Sequence, residues 1–183
     1  MRITVSGLPG SGTTSLSRYL SERHGFALIS AGEVFRQLAK ERGLELGDFG
    51  RLAEQNPSFD KMIDARQKEI AAENDNIIIE GRLSGWMVEN ADLKIWLFAP
   101  VRCRILRISS RDHVADLSTA ESITIERERC EAARYKLYYD IDISDLSIYN
   151  LILNSEHWDV AGLGAIVDTA IAGLSSSSVF SKV

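Results

Sequence analysis

Residues Gly7, Leu8, Pro9, Gly10, Ser11, Gly12, Thr13, Thr14 and Ser15 form a run in which two spaced glycines lead into three hydroxyl side chains. In the pattern G-x-x-x-x-G-K-[ST], the glycines let successive backbone N–H groups curl round an anion at a helix N-terminus. The last hydroxyl in that pattern faces a magnesium ion. Gly7, Gly12 and Thr14 match, whereas Thr13 stands where the pattern has lysine. The run therefore predicts a loop that holds the phosphates of a nucleoside triphosphate, with Thr14 as a magnesium ligand. The missing lysine poses a question: which cations supply its charge.

Arginines are the natural source. Arg36 falls early in the helical pattern that follows the second strand-like run, and Arg82 follows the third run directly in Glu80-Gly81-Arg82. Ligands of parallel sheets bind at the carboxyl ends of strands, so Arg36 and Arg82 read as a pair that grips one phosphate group by bidentate contacts. The expected work of Arg82 is charge placement rather than packing. Glu80 ends an isoleucine run, and its carboxylate is read in two ways. It accepts from an amine or ring N–H of a base, or helps place hydrated magnesium; alternatively it holds Arg82 in position. Asp60 and Asp64 are four residues apart on one helical face, where like charges repel unless something sits between them. With Arg66 they suit base recognition or an ordinary solvated face. A second cluster comprises Arg104, Arg107 and Arg111, on one face of a helix after Pro100. Arg127, Arg129, Arg134 and Lys136 follow, with Glu126, Glu128 and Glu131 as neighbours. Arginines on a mobile lid would supply the charge that spreads over a transferring phosphoryl group.

These residues need a scaffold. Strands are predicted at 3–6, 27–30, 76–80, 93–98 and 148–153, several of them apolar on both faces, as in Ile77-Ile78-Ile79 and Ile95-Trp96-Leu97-Phe98. Alternation with helical patterns implies a doubly wound parallel α/β sheet covered by helices. Helical patterns fall at 33–42, 60–73 and 159–174, and Ser118-Thr119-Ala120-Glu121 reads as a capping box starting a charged helix to about residue 139. The chain of 183 residues is 45% hydrophobic, enough for one domain with a full core, and its formal charge of −5 argues against a molecule built to bind nucleic acid or a membrane surface. Cys103 and Cys130 have no metal-ligand spacing and read as reduced thiols. No apolar run approaches a bilayer span and a strand begins at the N-terminus, so the expected location is cytoplasmic, without a leader. The serine-rich stretch 175–178 is expected to fray.

Taken together, the residues resemble the nucleoside monophosphate kinases, and most closely the archaeal-type cytidylate kinases. The resemblance rests on the loop with threonine in place of lysine, on Ala31-Gly32-Glu33-Val34-Phe35-Arg36-Gln37-Leu38-Ala39 and on Glu80-Gly81-Arg82-Leu83-Ser84-Gly85-Trp86-Met87. Asn90-Ala91-Asp92-Leu93-Lys94-Ile95-Trp96-Leu97 and Asp140-Ile141-Asp142-Ile143-Ser144-Asp145-Leu146-Ser147-Ile148-Tyr149 add to it, so that it covers residues 1–172. It implies a five-stranded P-loop kinase fold with core segments 1–30, 76–110 and 140–174, a monophosphate-binding insert at 31–75, a short lid at 111–139 and a tail at 175–183. It also implies ATP with Mg²⁺ as donor and CMP or dCMP as acceptor. Arg107 would flank the donor adenine, and Arg82, Arg111, Arg127 and Arg134 would act on the phosphates. Arg36, Glu80, Arg82, Asp64 and Arg66 would hold the acceptor, in a monomer. Two alternatives stand beside it: a related small-molecule kinase, and a nucleotide-gated adaptor or ATPase that binds RNA or an assembly partner through a degenerate loop.

Overall fold

Five short parallel strands form one sheet in the order β2-β3-β1-β4-β5. They are β1 (Arg2–Gly7), β2 (Ala27–Ser30), β3 (Ile77–Glu80), β4 (Leu93–Phe98) and β5 (Leu151–Asn154). The helices, in chain order, are α1 (Thr13–His24), α2 (Ala31–Glu41), α3 (Ser58–Glu73), α4 (Ser84–Met87), α5 (Val101–Asp112), α6 (Leu117–Tyr139) and α7 (Val160–Ser176). The computed structural model describes all residues except 45–47, 50, 51, 54, 55, 57, 114, 115 and 177–183, and the side chains of residues 60, 175 and 176 are likewise outside it. The expectation for the tail falls outside the described residues beyond Ser176.

The strands carry apolar residues on both faces because helices cover both. On one side Ile3, Val5, Ile78, Ile95 and Leu97 pack with Leu16 and Leu20 of α1 and Leu163 and Val167 of α7. On the other, Ile77 and Ile79 meet Ala71 of α3 and Val88 after α4. Central β1 is flanked by β3 and β4, with registers Val5↔Glu80 and Gly7↔Leu97. The chain direction switches here, so a crevice opens at the carboxyl ends of β1 and β3, where the loop after β1 and the residue Glu80 emerge. A separate cluster of Ala39, Phe49, Ala53 and Phe59 gives the segment after β2 its own small core. A fourth cluster joins Leu83 and Met87 to Tyr135 of α6 and Ile141, seating the long helix α6 against the β3 end.

Two local expectations are corrected. The fifth strand starts at Leu151, not at residue 148. Tyr149 closes a turn on the Leu146 carbonyl (3.1 Å), and the Asn150 side chain accepts from the Lys94 N–H (2.8 Å), occupying the place of a ladder partner. The apolar character of Tyr149 serves another contact: it packs beside Trp96 and so close to Gly85 that a Cβ there would lie 2.6 Å from the ring. The cap of α6 is Asp116 rather than Ser118. Its carboxylate accepts from the N–H groups of Ser118 (3.2 Å) and Thr119 (3.0 Å), satisfying two of the helix's orphan donors.

Candidate active site

The loop joins the middle strand to α1, and its glycines are set by space and by backbone angle. A Cβ at Gly7 would lie 2.5 Å from the Leu97 carbonyl oxygen, across the β1–β4 ladder. Gly12 has φ 94, a left-handed value that lets the chain turn sharply into α1, and as the N-cap it offers no side chain to the first amides of the helix. Those amides and the positive end of the helix dipole face the crevice, as an anion site requires.

Thr13 is not an inert gap where lysine is missing. Its hydroxyl donates to Glu80 Oε1 at 2.6 Å, and the Thr14 hydroxyl reaches the same oxygen at 3.5 Å. The Ser30 hydroxyl, at the end of β2, donates to Glu80 Oε2 at 2.5 Å. Gln67 of α3 donates to the Glu80 backbone carbonyl at 3.1 Å. A buried carboxylate, 8% exposed, is thus held by hydroxyls from the end of β2 and from the first turn of α1. The Glu80 oxygens are taken by these hydroxyls, and Glu80 acts on Arg82 only as a nearby charge.

Arg82 instead binds the long helix: its Nε donates to Glu131 of α6, and its Nη1 lies 3.4 Å from the Gly7 carbonyl. Burial works against the Arg82 charge, yet Glu131 beside it holds the guanidinium pKa above its ordinary value. Glu131 receives a second arginine, Arg127, at 2.8 Å. Burial alone would raise the Glu131 carboxyl, but Arg82 and Arg127 outweigh it and hold it below the usual range. Arg134 lies half-buried on α6, three residues beyond Glu131.

The cluster after Pro100 divides. Arg107 turns to the loop, donating to the Gly10 carbonyl (3.3 Å), the Ser155 hydroxyl (3.0 Å) and the Ser155 carbonyl (2.7 Å). Arg104 is 3% exposed and donates to the carbonyls of Ala99 and Pro9, both at 3.1 Å, and to Glu128 of α6. Arg111, in the last turn of α5, pairs with Asp112 at 2.6 and 2.7 Å in an exposed position. Helical spacing kept the three on one face: Arg104 and Arg107 contact the loop, and the exposed Arg111 guanidinium lies near enough to Arg82 to feel its charge.

The acceptor-side candidates are more dispersed. Asp64 accepts from the Tyr139 hydroxyl at 2.6 Å, so α3 is tied to the end of α6. Arg66 is exposed and reaches Glu69 at 3.5 Å. Arg36 is exposed on α2 and, among the described residues, has no carboxylate partner, whereas Arg82 is already engaged. The Asp60 side chain lies outside the described residues. Cys103 and Cys130 are not joined in a disulfide, and the Cys130 thiol donates to Glu126 at 3.5 Å.

The sequence profile of the cytidylate kinase-like family matches residues 2–157. The chain belongs to the cytidylate kinase-like family. Among curated relatives, a protein of Methanoregula boonei named cytidylate kinase is 74% identical over 171 residues, 93% of this chain and 94% of the relative. One from Methanosphaerula palustris, with the same name, is 63% identical and covers 95% of this chain and 99% of its own. In fold the chain is similar to a shikimate kinase of Bacteroides thetaiotaomicron, with a TM-score of 0.66 at 13% identity, covering 94% and 98% of the two chains. That likeness shows the fold alone: a parallel sheet of this kind with helices on both faces.

Against this cytidylate kinase-like background, five residues of the site escaped the motif reading. Ser30, Gln67 and Ser155 are small or neutral polar residues whose importance comes only from being brought beside Glu80 or the loop. Glu128 and Glu131 read as solvent partners of their helical neighbours. The signal that could have found them was their i, i+3 spacing facing the apolar Tyr135, which marks the buried side of α6.

Proposed function

We propose that this chain acts as a cytidylate kinase, an enzyme that transfers the γ-phosphoryl group of ATP to CMP or dCMP, giving ADP and CDP or dCDP. The observation that carries it is the 74% identity, over nearly the whole chain, to a relative named cytidylate kinase. The site geometry supports the same reading.

Phosphoryl transfer asks little covalent chemistry of the protein; position and charge supply the rate. An oxygen of the acceptor monophosphate attacks the γ-phosphorus as the bond to the ADP oxygen breaks. The acceptor is already an oxyanion, so no general base is needed. In this reading the loop from Gly7 to Ser15 holds the donor phosphates through its available backbone N–H groups (Pro9 has none, and that of Ser11 closes on Leu8), and Arg107 flanks the adenine. Arg36 and Arg82 take the acceptor phosphate, while Glu80, Asp64 and Arg66 bound the acceptor side. Arg111, Arg127 and Arg134 face the phosphates from the lid at 111–139, which closes with the insert at 31–75 to exclude water. For Arg82 to take a phosphate, it must share or leave Glu131, so acceptor binding and the seating of α6 are linked.

The donor set suits magnesium. Thr14 and Glu80 offer hard oxygens 3.5 Å apart, and among the described residues no cluster of three or more His, Cys, Asp or Glu side chains forms a dedicated metal cage. Mg²⁺ is held in this manner by one or two protein oxygens together with nucleotide phosphates. When bound it would neutralise charge on the β- and γ-phosphate oxygens. Among the described residues no helix is long and apolar enough to cross a membrane.

The test is coupled ADP release with MgATP against CMP, dCMP, UMP, AMP and GMP. Turnover with CMP or dCMP and little with the others is expected. No turnover with any of them, from folded protein that still binds ATP, would overturn the reading in favour of a nucleotide-gated adaptor.

A further inference from the structure

The loop's backbone carbonyls accept from a set of cationic and hydroxyl side chains, of which Arg104 and Ser155 belong to no motif. Gly7 accepts from Arg82 (3.4 Å), Pro9 from Arg104 (3.1 Å), Gly10 from Arg107 (3.3 Å) and Ser11 from the Ser155 hydroxyl (2.7 Å). A trans peptide directs the C=O of one residue and the N–H of the next to opposite sides, and no cis peptide occurs among the described residues. Fixing these carbonyls outward therefore turns the N–H groups of Leu8, Gly10 and Gly12 the other way, while the Ser11 N–H closes on the Leu8 carbonyl at 3.1 Å.

Arg104 differs from the other donors in its burial and in the strand end it reaches, and like Arg82 it pairs with a glutamate of α6. Its side chain is only 4% exposed, so its charge cannot rely on water. It ties Pro9 to Ala99 at the end of β4, which makes the loop continuous with the rigid sheet. Its counter-charge comes from Glu128 of α6, which it also meets through Nη2 at 3.3 Å. The steric record agrees: a Cβ at Gly10 would lie 2.7 Å from the Arg104 backbone carbonyl, so α5 and the loop are in direct contact here.

We propose that Arg104 is a positioning residue for the phosphoryl donor. It stands behind the phosphate loop, holds the Pro9 carbonyl so that the neighbouring amide faces the donor phosphates, and contributes positive charge to a loop whose lysine position is Thr13. Glu128 couples this brace to α6, so the seating of the long helix is felt at the donor site. The proposal rests on the kinase reading above, and the following measurements separate failure of one from failure of the other.

Binding of a non-hydrolysable MgATP analogue by calorimetry, steady-state KM for MgATP and for CMP, and Tm are measured for the wild type, Arg104→Lys, Glu128→Gln and the double variant. Lysine keeps the charge but loses the planar fork, so the cost expected is that of one charge-assisted hydrogen bond, about tenfold in analogue Kd and in KM for MgATP. KM for CMP should move less than about twofold. Glu128→Gln should weaken the analogue by about threefold, and the double variant should be no worse than Arg104→Lys alone, because both act through one contact. A merely structural arginine would instead raise both KM values together or lower only Tm. Unchanged analogue affinity in folded Arg104→Lys overturns the proposal, as do ATP and CMP constants rising in step. If Arg104→Lys does not fold, the analogue affinity of Glu128→Gln decides alone, with an unchanged value counting against the brace. Absence of CMP turnover in the wild type would refute the kinase reading, yet the analogue titration would still decide the role of Arg104.

Discussion

Arg82→Ala is the perturbation that most directly separates charge placement from packing. From sequence alone the substitution should slow transfer and leave stability nearly untouched. The structure changes the second half of that expectation. Arg82 pairs with Glu131, whose side chain is only 8% exposed, so removing the arginine leaves a desolvated carboxylate with Arg127 as its remaining cation. Breaking a buried pair by deleting one partner costs roughly 3–5 kcal/mol. Arg127 keeps part of the compensation, and the Arg82 side chain is itself 20% exposed, so about 2–3 kcal/mol is the appropriate loss. For a chain of this size that corresponds to a Tm lowered by about 4–12 °C. Turnover should fall by roughly 10²–10³, the usual effect of removing one preorganised donor from a transferring group. The decisive companion is Arg82→Ala with Glu131→Gln. The neutral amide no longer needs the arginine, so Tm should recover by more than half while turnover stays low. Thermal melts by circular dichroism and coupled ADP release on the same preparations read both quantities. If turnover and Tm recover together in the double variant, or if Arg82→Ala turns over like the wild type, the assignment of Arg82 to the phosphates is refuted.

Thr13→Lys should not raise kcat, because the added ammonium would meet the Glu80 carboxylate that Thr13 now reaches at 2.6 Å; a large gain in the coupled assay would show that the arginines do not replace the lysine's charge. Thr13→Val, which keeps the shape and removes the hydroxyl, should lower stability by about 1–2 kcal/mol in urea unfolding, since Glu80 loses a donor in a buried place. The Glu131 carboxyl is held below the usual range in the folded chain, so its contribution is present above about pH 4.3 and is lost as pH falls through the lower folded value. Glu131→Gln should accordingly flatten the acid limb of a Tm-against-pH curve, and an unchanged limb would show that the pair does not govern it. Asp116→Ala should cost about 1 kcal/mol through loss of the α6 cap, measured by urea unfolding.

Much of this protein was legible before any fold was known, and for local reasons. The phosphate loop could be read because its conformation is imposed by Gly7 and Gly12 and by the strand and helix that touch it in sequence. The strands at 27–30 and 93–98 could be read to the residue because each is a short, mostly apolar run bounded by residues that begin the next turn or helix. The family too was legible, since the Glu80-Gly81-Arg82 element and the run from Asp140 to Tyr149 are contiguous. Where sequence and structure parted, a neighbouring polar side chain had taken over a backbone role. Asn150 displaced the start of β5, and Asp116 displaced Ser118 as the cap. The partner choices belong to tertiary structure alone: Thr13 and Ser30 converge on Glu80, Arg82 goes to Glu131, and Arg104 turns inward beneath the loop while Arg111 stays in solvent. A charged side chain looks much the same in sequence whether water or a buried carboxylate neutralises it. Only packing removes the water, and with the water gone each guanidinium must find its particular oxygen.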